Sequence, residues 1–192
     1  FVEFSLEDWN DLVATNLTSA FLVSQRVAQG MVARGSGKII NIGSVQSQLA
    51  RPGIAPYSAT KGGIVMLTKG LCADLGPSGV QANALAPGYF ETELTSALVE
   101  DQKFSAWVRD RTPAGRWGKM EDLIGALVFL ASPASDFVNG QVLFVDGGPA
   151  HQPGVARAAA RRGRQRRADV RGRLRMECVA HPRPRDRGDR HG

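Results

Sequence analysis

Apolar side chains recur at helical spacing through the first part of the chain, at Leu6, Trp9, Leu12, Val13, Leu17, Phe21, Val27 and Met31. Positions three or four apart share a helix face, so the pattern predicts one long amphipathic helix ending at Arg34. Ser5-Leu6-Glu7-Asp8 resembles a capped helix start, and Gly35-Ser36-Gly37 stops the run. The period then changes. Lys38 to Ser44 (KIINIGS) is a short, largely β-branched stretch of the kind found in buried parallel strands. Helical spacing returns at Ala59, Ile64, Leu67, Leu71 and Leu75, with Pro56 near the start and Gly76-Pro77 at the end. Val80 to Ala86 (VQANALA) reads as a second strand closed by Pro87-Gly88, Asp122 to Ala131 as a helix, and Gln141 to Val145 (QVLFV) as a last strand. Strands separated by helices imply an α/β layered fold with parallel strands, although three are too few for a free-standing doubly wound sheet.

Charge divides the chain in two. Residues 1–148 carry 11 basic and 14 acidic side chains, whereas residues 149–192 hold 13 arginines, no lysine and four acids. The sequence pI of 9.9 therefore describes the tail, and a nucleic-acid role for the whole chain does not follow from it. All three histidines (His151, His181 and His191) also lie in the tail, which excludes Ser-His-Asp or Cys-His catalysis and a histidine metal site from the body. Cys72 and Cys178 form neither a CxxC pair nor a disulfide framework, so a reduced, cytoplasmic protein is expected. No apolar run approaches the ~18 residues of a membrane span, no leader pattern opens the chain, and neither a metal nor a membrane partner is expected.

Candidate chemistry concentrates where the first strand gives way to the second long helix. Ser44 stands at the C-terminal end of a strand, where open α/β sheets place their ligands. Tyr57 follows, and Lys61 lies one helical turn beyond it on the same face. A phenol with a pKa of about 10 is a poor proton carrier at neutral pH unless something favours its phenolate, and a neighbouring ammonium does that. A serine hydroxyl facing the same point could hold a substrate oxygen while the tyrosine delivers the proton. A bare YxxxK also fits a surface tyrosine and a solvated lysine.

Wider motifs add to this. Asn16, the NIGS run ending at Ser44, Tyr57-Ser58-Ala59-Thr60-Lys61, Pro87-Gly88-Tyr89-Phe90-Glu91-Thr92, Asn139-Gly140-Gln141 and Val145-Asp146-Gly147-Gly148 resemble, in order and spacing, the short-chain dehydrogenase/reductase family. The resemblance covers residues 1–148 and implies the C-terminal part of a doubly wound, Rossmann-like domain. It implies Tyr57 as general acid/base, Lys61 as the group that lowers the tyrosine pKa and holds a nicotinamide ribose, Ser44 as the substrate-orienting hydroxyl, and Asn16 as holder of a relay water. Pro87, Gly88, Phe90 and Thr92 would complete the cofactor site with Tyr57 and Lys61, and the cofactor would be NADP or NAD, NADP being preferred. Segments 86–93, 97–101, 111–114, 116–118 and 134–140 are similar to a subgroup of the family acting on gluconate. That implies interconversion of gluconate and 5-keto-gluconate, or a related sugar acid or polyol, by a homo-tetramer or dimer. Ser44, Gln46, Tyr57 and Tyr89 are the expected substrate contacts, and Arg51 is either a carboxylate partner or a solvated surface arginine.

The family's glycine-rich phosphate loop is not found. Gly35-Ser36-Gly37 precedes a strand, whereas a pyrophosphate loop must lead into a helix N-terminus, so a preceding cofactor-binding half is expected to be missing and the chain to be inactive alone. A non-catalytic fragment acting as an oligomerisation module, and a reductase of another small ketone or keto ester, stay open. Gly62-Gly63 inside a helix marks either close packing or simple tolerance. The Arg-rich residues 149–192 lack hydrophobic period, aromatics and lysine; out-of-frame translation into a disordered tail is the expectation, with an inert extension and a nucleic-acid-binding arm as the alternatives.

Overall fold

The computed structural model describes residues 1–148; the expectations for 149–192 lie outside the described residues. Helix α1 (Leu6–Val13) starts at Ser5, whose Oγ accepts from the Asp8 N–H at 3.0 Å, as the sequence pattern suggests. The long helical run expected from the spacing is present from Leu6 to Arg34, but one wide turn divides it. Ala14–Thr18 forms a π-helical turn between α1 and α2 (Ser19–Arg34), and Asn16 sits in it. Gly35, at φ 72°, ends α2 in the left-handed conformation that glycine adopts without steric cost.

Strand β1 (Gly37–Ile42) leads through a 3-10 turn to α3 (Ala55–Leu75), then β2 (Val80–Pro87). Two helices missed in the sequence follow, α4 (Ser96–Glu100) and α5 (Gln102–Arg111), before α6 (Glu121–Ala131) and β3 (Val142–Val145). The sheet is parallel in the order β1-β2-β3, with Ile42 opposite Leu85 and Pro87 opposite Val145. The central strand is buried along nearly all its length, and Val80, Ala82, Ala84 and Ala86 are fully so. Alternation puts Ile39 and Asn41 of β1 on one face: Ile39 packs with Ala28, Val80 and Ala82 against Met31, Leu71 and Leu75, and Asn41 donates to Thr68 of α3 at 2.9 Å. Lys38 points the other way, to Ser135 and Asp136 after α6. Helices therefore cover both faces of the sheet. The motif Asn139-Gly140-Gln141 ties β2 to β3: Asn139 Oδ1 accepts from the Ala82 N–H at 2.7 Å, and Gln141 N–H donates to Asn83 Oδ1 at 3.0 Å.

The apolar stripe of the first helical stretch is only partly internal. Leu12 is buried, but Leu6 and Phe21 remain exposed, as do Leu22 and Val23 beside Phe21. Ile124 and Val128 of α6 are exposed likewise. Among the described residues no helix is long and apolar enough to cross a membrane.

Candidate functional site

Where β1 ends, the chain turns sharply and Ser44 becomes the cap of the 3-10 turn Val45–Ser47. Its Oγ accepts from the Gln46 N–H at 3.1 Å. A hydroxyl with that lone pair engaged still carries its own proton, which it can donate to an oxygen within hydrogen-bonding reach. Tyr57 lies in the first turn of α3, and both residues line one cavity of about 130 Å³ together with Gln46, Arg51, Gly88 and Tyr89. Ile54, Phe90, Leu94 and Leu98 supply its apolar wall.

Lys61 stands behind the tyrosine. Its Nζ lies 5.8 Å from the Tyr57 ring centroid and donates to the Ile42 carbonyl at 3.0 Å, so the end of β1 fixes the ammonium. Burial holds the Lys61 pKa below the ordinary lysine value, since removing water penalises the charged form. Asn16 reaches the same turn from the π-helical segment. Its Nδ2 donates to Thr60 Oγ1 at 3.3 Å, and Thr60 Oγ1 donates to the Tyr57 carbonyl at 2.8 Å. The widened turn thus locks Asn16 onto the helix carrying Tyr57 and Lys61. Gly63 belongs to this contact, because a Cβ there would sit 2.9 Å from Leu17 Cδ2, whereas Gly62 has open space around it.

The segment after β2 is built around close approaches. A Cβ on Gly88 would lie 2.7 Å from Asp146 Cβ and 2.8 Å from Asp146 Cα, which only glycine avoids while its N–H donates to the Val145 carbonyl at 2.9 Å. Phe90 is buried and forms a bridge with Gly118. Thr92 is exposed and caps the 3-10 turn Glu93–Thr95 reciprocally with Thr95, so its hydroxyl already has a structural duty.

Tyr89 is the centre of an aromatic cluster that the sequence reading missed. Phe104, Trp107 and Trp117 each meet its ring edge-on, with centroids 5.8, 5.9 and 5.7 Å away. Trp117 is buried and donates from Nε1 to Ser105 Oγ at 2.9 Å, and Arg111 Cζ sits 4.3 Å from the Trp107 ring centroid. Arg116 anchors the loop through a two-pronged contact with Asp122 at 2.6 and 2.9 Å and a further bond to the Trp117 carbonyl. That hydrogen bond, with the Lys119 N–H, holds the Asp122 carboxyl well below the usual carboxylate range. Two signals could have exposed α5. Asp101 caps it, accepting from Lys103 and Phe104 N–H at 3.1 Å, and Trp107 and Arg111 are spaced one turn apart.

The family described as enoyl-(acyl carrier protein) reductase matches residues 1–151. The chain belongs to the short-chain dehydrogenase/reductase family. Among its relatives, gluconate 5-dehydrogenase of Gluconobacter oxydans is 62% identical over 146 residues, a match covering 76% of this chain and 57% of that enzyme. The 5-keto-D-gluconate 5-reductase of Escherichia coli K12 is 58% identical over 148 residues, covering 77% and 58%. A crystal structure of a gluconate 5-dehydrogenase from Burkholderia cenocepacia, in complex with NADP and tartrate, superposes with a TM-score of 0.75 at 65% identity, covering 77% of this chain and 58% of that one. The chain thus spans less than two thirds of the length of these short-chain dehydrogenase/reductase relatives. Among the described residues no cluster of three or more His, Cys, Asp or Glu offers a metal site.

Proposed function

We propose that residues 1–148 are the C-terminal part of a Rossmann-like dehydrogenase that interconverts gluconate and 5-keto-gluconate with NADP or NAD. The observation that carries this reading is the convergence of Ser44 and Tyr57 on one cavity, with Lys61 held behind the tyrosine by the Ile42 carbonyl. Support for the substrate comes from relatives named for gluconate and 5-keto-gluconate, and for the cofactor from the relative crystallised with NADP. The missing cofactor half is inferred from the absence of any strand-glycine-helix phosphate loop in the sequence.

The residues present fit a nicotinamide nucleotide. Lys61 has three N–H donors, of which the Ile42 carbonyl takes one, leaving two for ribose hydroxyls. Gly88 and Phe90 line the cavity, Gly88 with backbone at a position where a side chain would clash with Asp146, and Pro87 and Thr92 are their neighbours along the chain. When bound there, the nucleotide supplies or accepts the hydride. Ser44 Oγ donates to the substrate oxygen and fixes its orientation. Tyr57 transfers the proton to or from that same oxygen, with the nearby ammonium favouring its phenolate. Asn16, its amide nitrogen committed to Thr60, has Oδ1 left to hold a water that returns protons toward Lys61. Gln46 and Tyr89 contact the substrate. The exposed apolar residues of α2 and α6 support assembly of the full-length enzyme into a dimer or tetramer.

The test is a fusion of residues 1–148 to the N-terminal part of the Gluconobacter oxydans enzyme, assayed against keto-gluconates, polyols, small keto esters and a steroid. 5-Keto-gluconate should give the highest kcat/KM. A keto ester or steroid preferred by tenfold, about 1.4 kcal/mol in transition-state binding, overturns the sugar-acid reading and leaves the oxidoreductase reading standing.

A further inference from the structure

We propose that Arg51 is the residue that selects a carboxylate-bearing substrate, an inference that rests on the dehydrogenase reading of the same cavity. Of the twelve residues lining that cavity, Arg51 is the only one with a charged side chain. It is half-buried, its Cζ lies 6.0 Å from the centroid of the Phe104 ring, and much of the remaining wall is apolar. A guanidinium carries five N–H donors in a planar fork, so beside the contact Arg51 already makes it can pair with a carboxylate, in surroundings less wet than the open surface.

A second observation points to a polar ligand in the same place. Gln46 Oε1 is buried without a hydrogen-bond partner, while Nε2 of the same amide lies 3.4 Å from the Tyr89 hydroxyl. Turning the amide over only exchanges the roles: Tyr89 then donates to the oxygen, and the nitrogen is left wanting an acceptor. In either orientation one end of the amide needs a partner, and a substrate hydroxyl, which both donates and accepts, meets either need. Gln46 and Arg51 both lie on the segment joining Ser44 to Tyr57. The proton-transfer groups sit on the strand end and the helix start, and the recognition groups sit on the loop between them, where a change of residue alters preference without moving the reacting centre. Together they describe a ligand with an anionic end and hydroxyls, a polyhydroxy carboxylate, in contrast to a neutral polyol or an acyl thioester.

The experiment uses the fusion enzyme with NADP, and compares binding of gluconate and of sorbitol, a neutral polyol of the same carbon number, by calorimetry. Wild type should bind gluconate about 10- to 100-fold more tightly, the range of a charge-assisted pair. Arg51→Gln should abolish that gap and leave sorbitol binding as it was, and Arg51→Lys, which keeps the charge but not the fork, should recover part of it. In turnover, the loss for 5-keto-gluconate should be carried mainly by KM. Equal loss of both ligands in both variants would show a merely structural role, and equal affinity of wild type for the two ligands would also overturn the proposal. A fusion that turns over no keto-gluconate yet binds gluconate through Arg51 would sink the dehydrogenase reading and keep the carboxylate assignment.

Discussion

Gly88 couples the sheet to the candidate site, and Gly88→Ala tests that coupling. The added Cβ would lie 2.7 and 2.8 Å from Asp146 Cβ and Cα. Carbon pairs rest at about 3.5–4.0 Å, so the ends of β2 and β3 must part by roughly 1 Å. Part of the obstruction is backbone, which a rotamer change cannot relieve. Overpacking of this kind costs about 1–3 kcal/mol. Loss of the Gly88 N–H bond to the Val145 carbonyl adds about 0.5–1.5 kcal/mol, giving roughly 2–4 kcal/mol in total. In a fusion of full enzyme length this corresponds to a fall in Tm of roughly 5–15 °C. The next residue is Tyr89, whose hydroxyl meets Gln46, so a displacement on this scale should also cost about 10²-fold in kcat/KM. Thermal denaturation and steady-state kinetics of the fusion measure both. Gly62→Ala is the matched control, since no heavy atom lies within 4 Å of its added Cβ and alanine in a helix interior gains up to about 1 kcal/mol. A Gly88→Ala enzyme with wild-type Tm and kinetics would refute the close-approach argument, and a Gly62→Ala enzyme as damaged as Gly88→Ala would show that the two positions do not differ.

Three further expectations follow from the site. Tyr57→Phe in the fusion should lower kcat by about 10²–10⁴-fold with cofactor affinity mostly retained; substantial turnover would remove the tyrosine from its role. Lys61→Met should abolish activity yet raise thermal stability, because the native chain holds a desolvated ammonium. The sign is fixed by proton binding: with the native pKa lowered, the unfolded chain binds more protons between that value and 10.5, so wild-type stability rises with pH there and the advantage of methionine should shrink over the same range. An advantage that grows with alkalinity would contradict this. The 192-residue chain alone should turn over nothing and bind NADP weakly, and micromolar affinity by calorimetry would overturn the proposal that it needs a further cofactor-binding segment.

Much of the fold was legible because its elements obey simple periods. The isoleucine-rich run after Gly37 and the VQANALA run from Val80 form parallel strands, and the proximity of Ser44 to Tyr57 follows from a strand end feeding a helix start. Tertiary context governed what the periods did not reveal. Leu6 and Phe21 share the helical spacing of Leu12 but stay exposed, since spacing reports a face and not whether anything covers it. Phe104, Trp107 and Trp117 come from a helix and a loop, and no local pattern announces that all three meet Tyr89. Thr92 is expected in the cofactor site, and its bond to Thr95, which no local pattern announces, depends on the turn that both residues cap. Gly62 and Gly63 are neighbours in sequence, yet only the second faces Leu17.

The π-helical turn at Ala14–Thr18 amounts to one residue inserted into an otherwise regular helix. An α-helix advances 100° per residue, so an insertion absorbed nowhere would have rotated Leu12 away from the core relative to Ser24 and Ala28. Housed in a single wide turn, the extra residue leaves the packing faces on both sides in phase. The insertion is therefore reversible in principle: deleting one residue from this turn can restore a plain helix with its flanks still seated, at the cost of the displaced backbone that presents Asn16 to Thr60. The packing of the two helical flanks and the placement of Asn16 are therefore separable at this point of the chain.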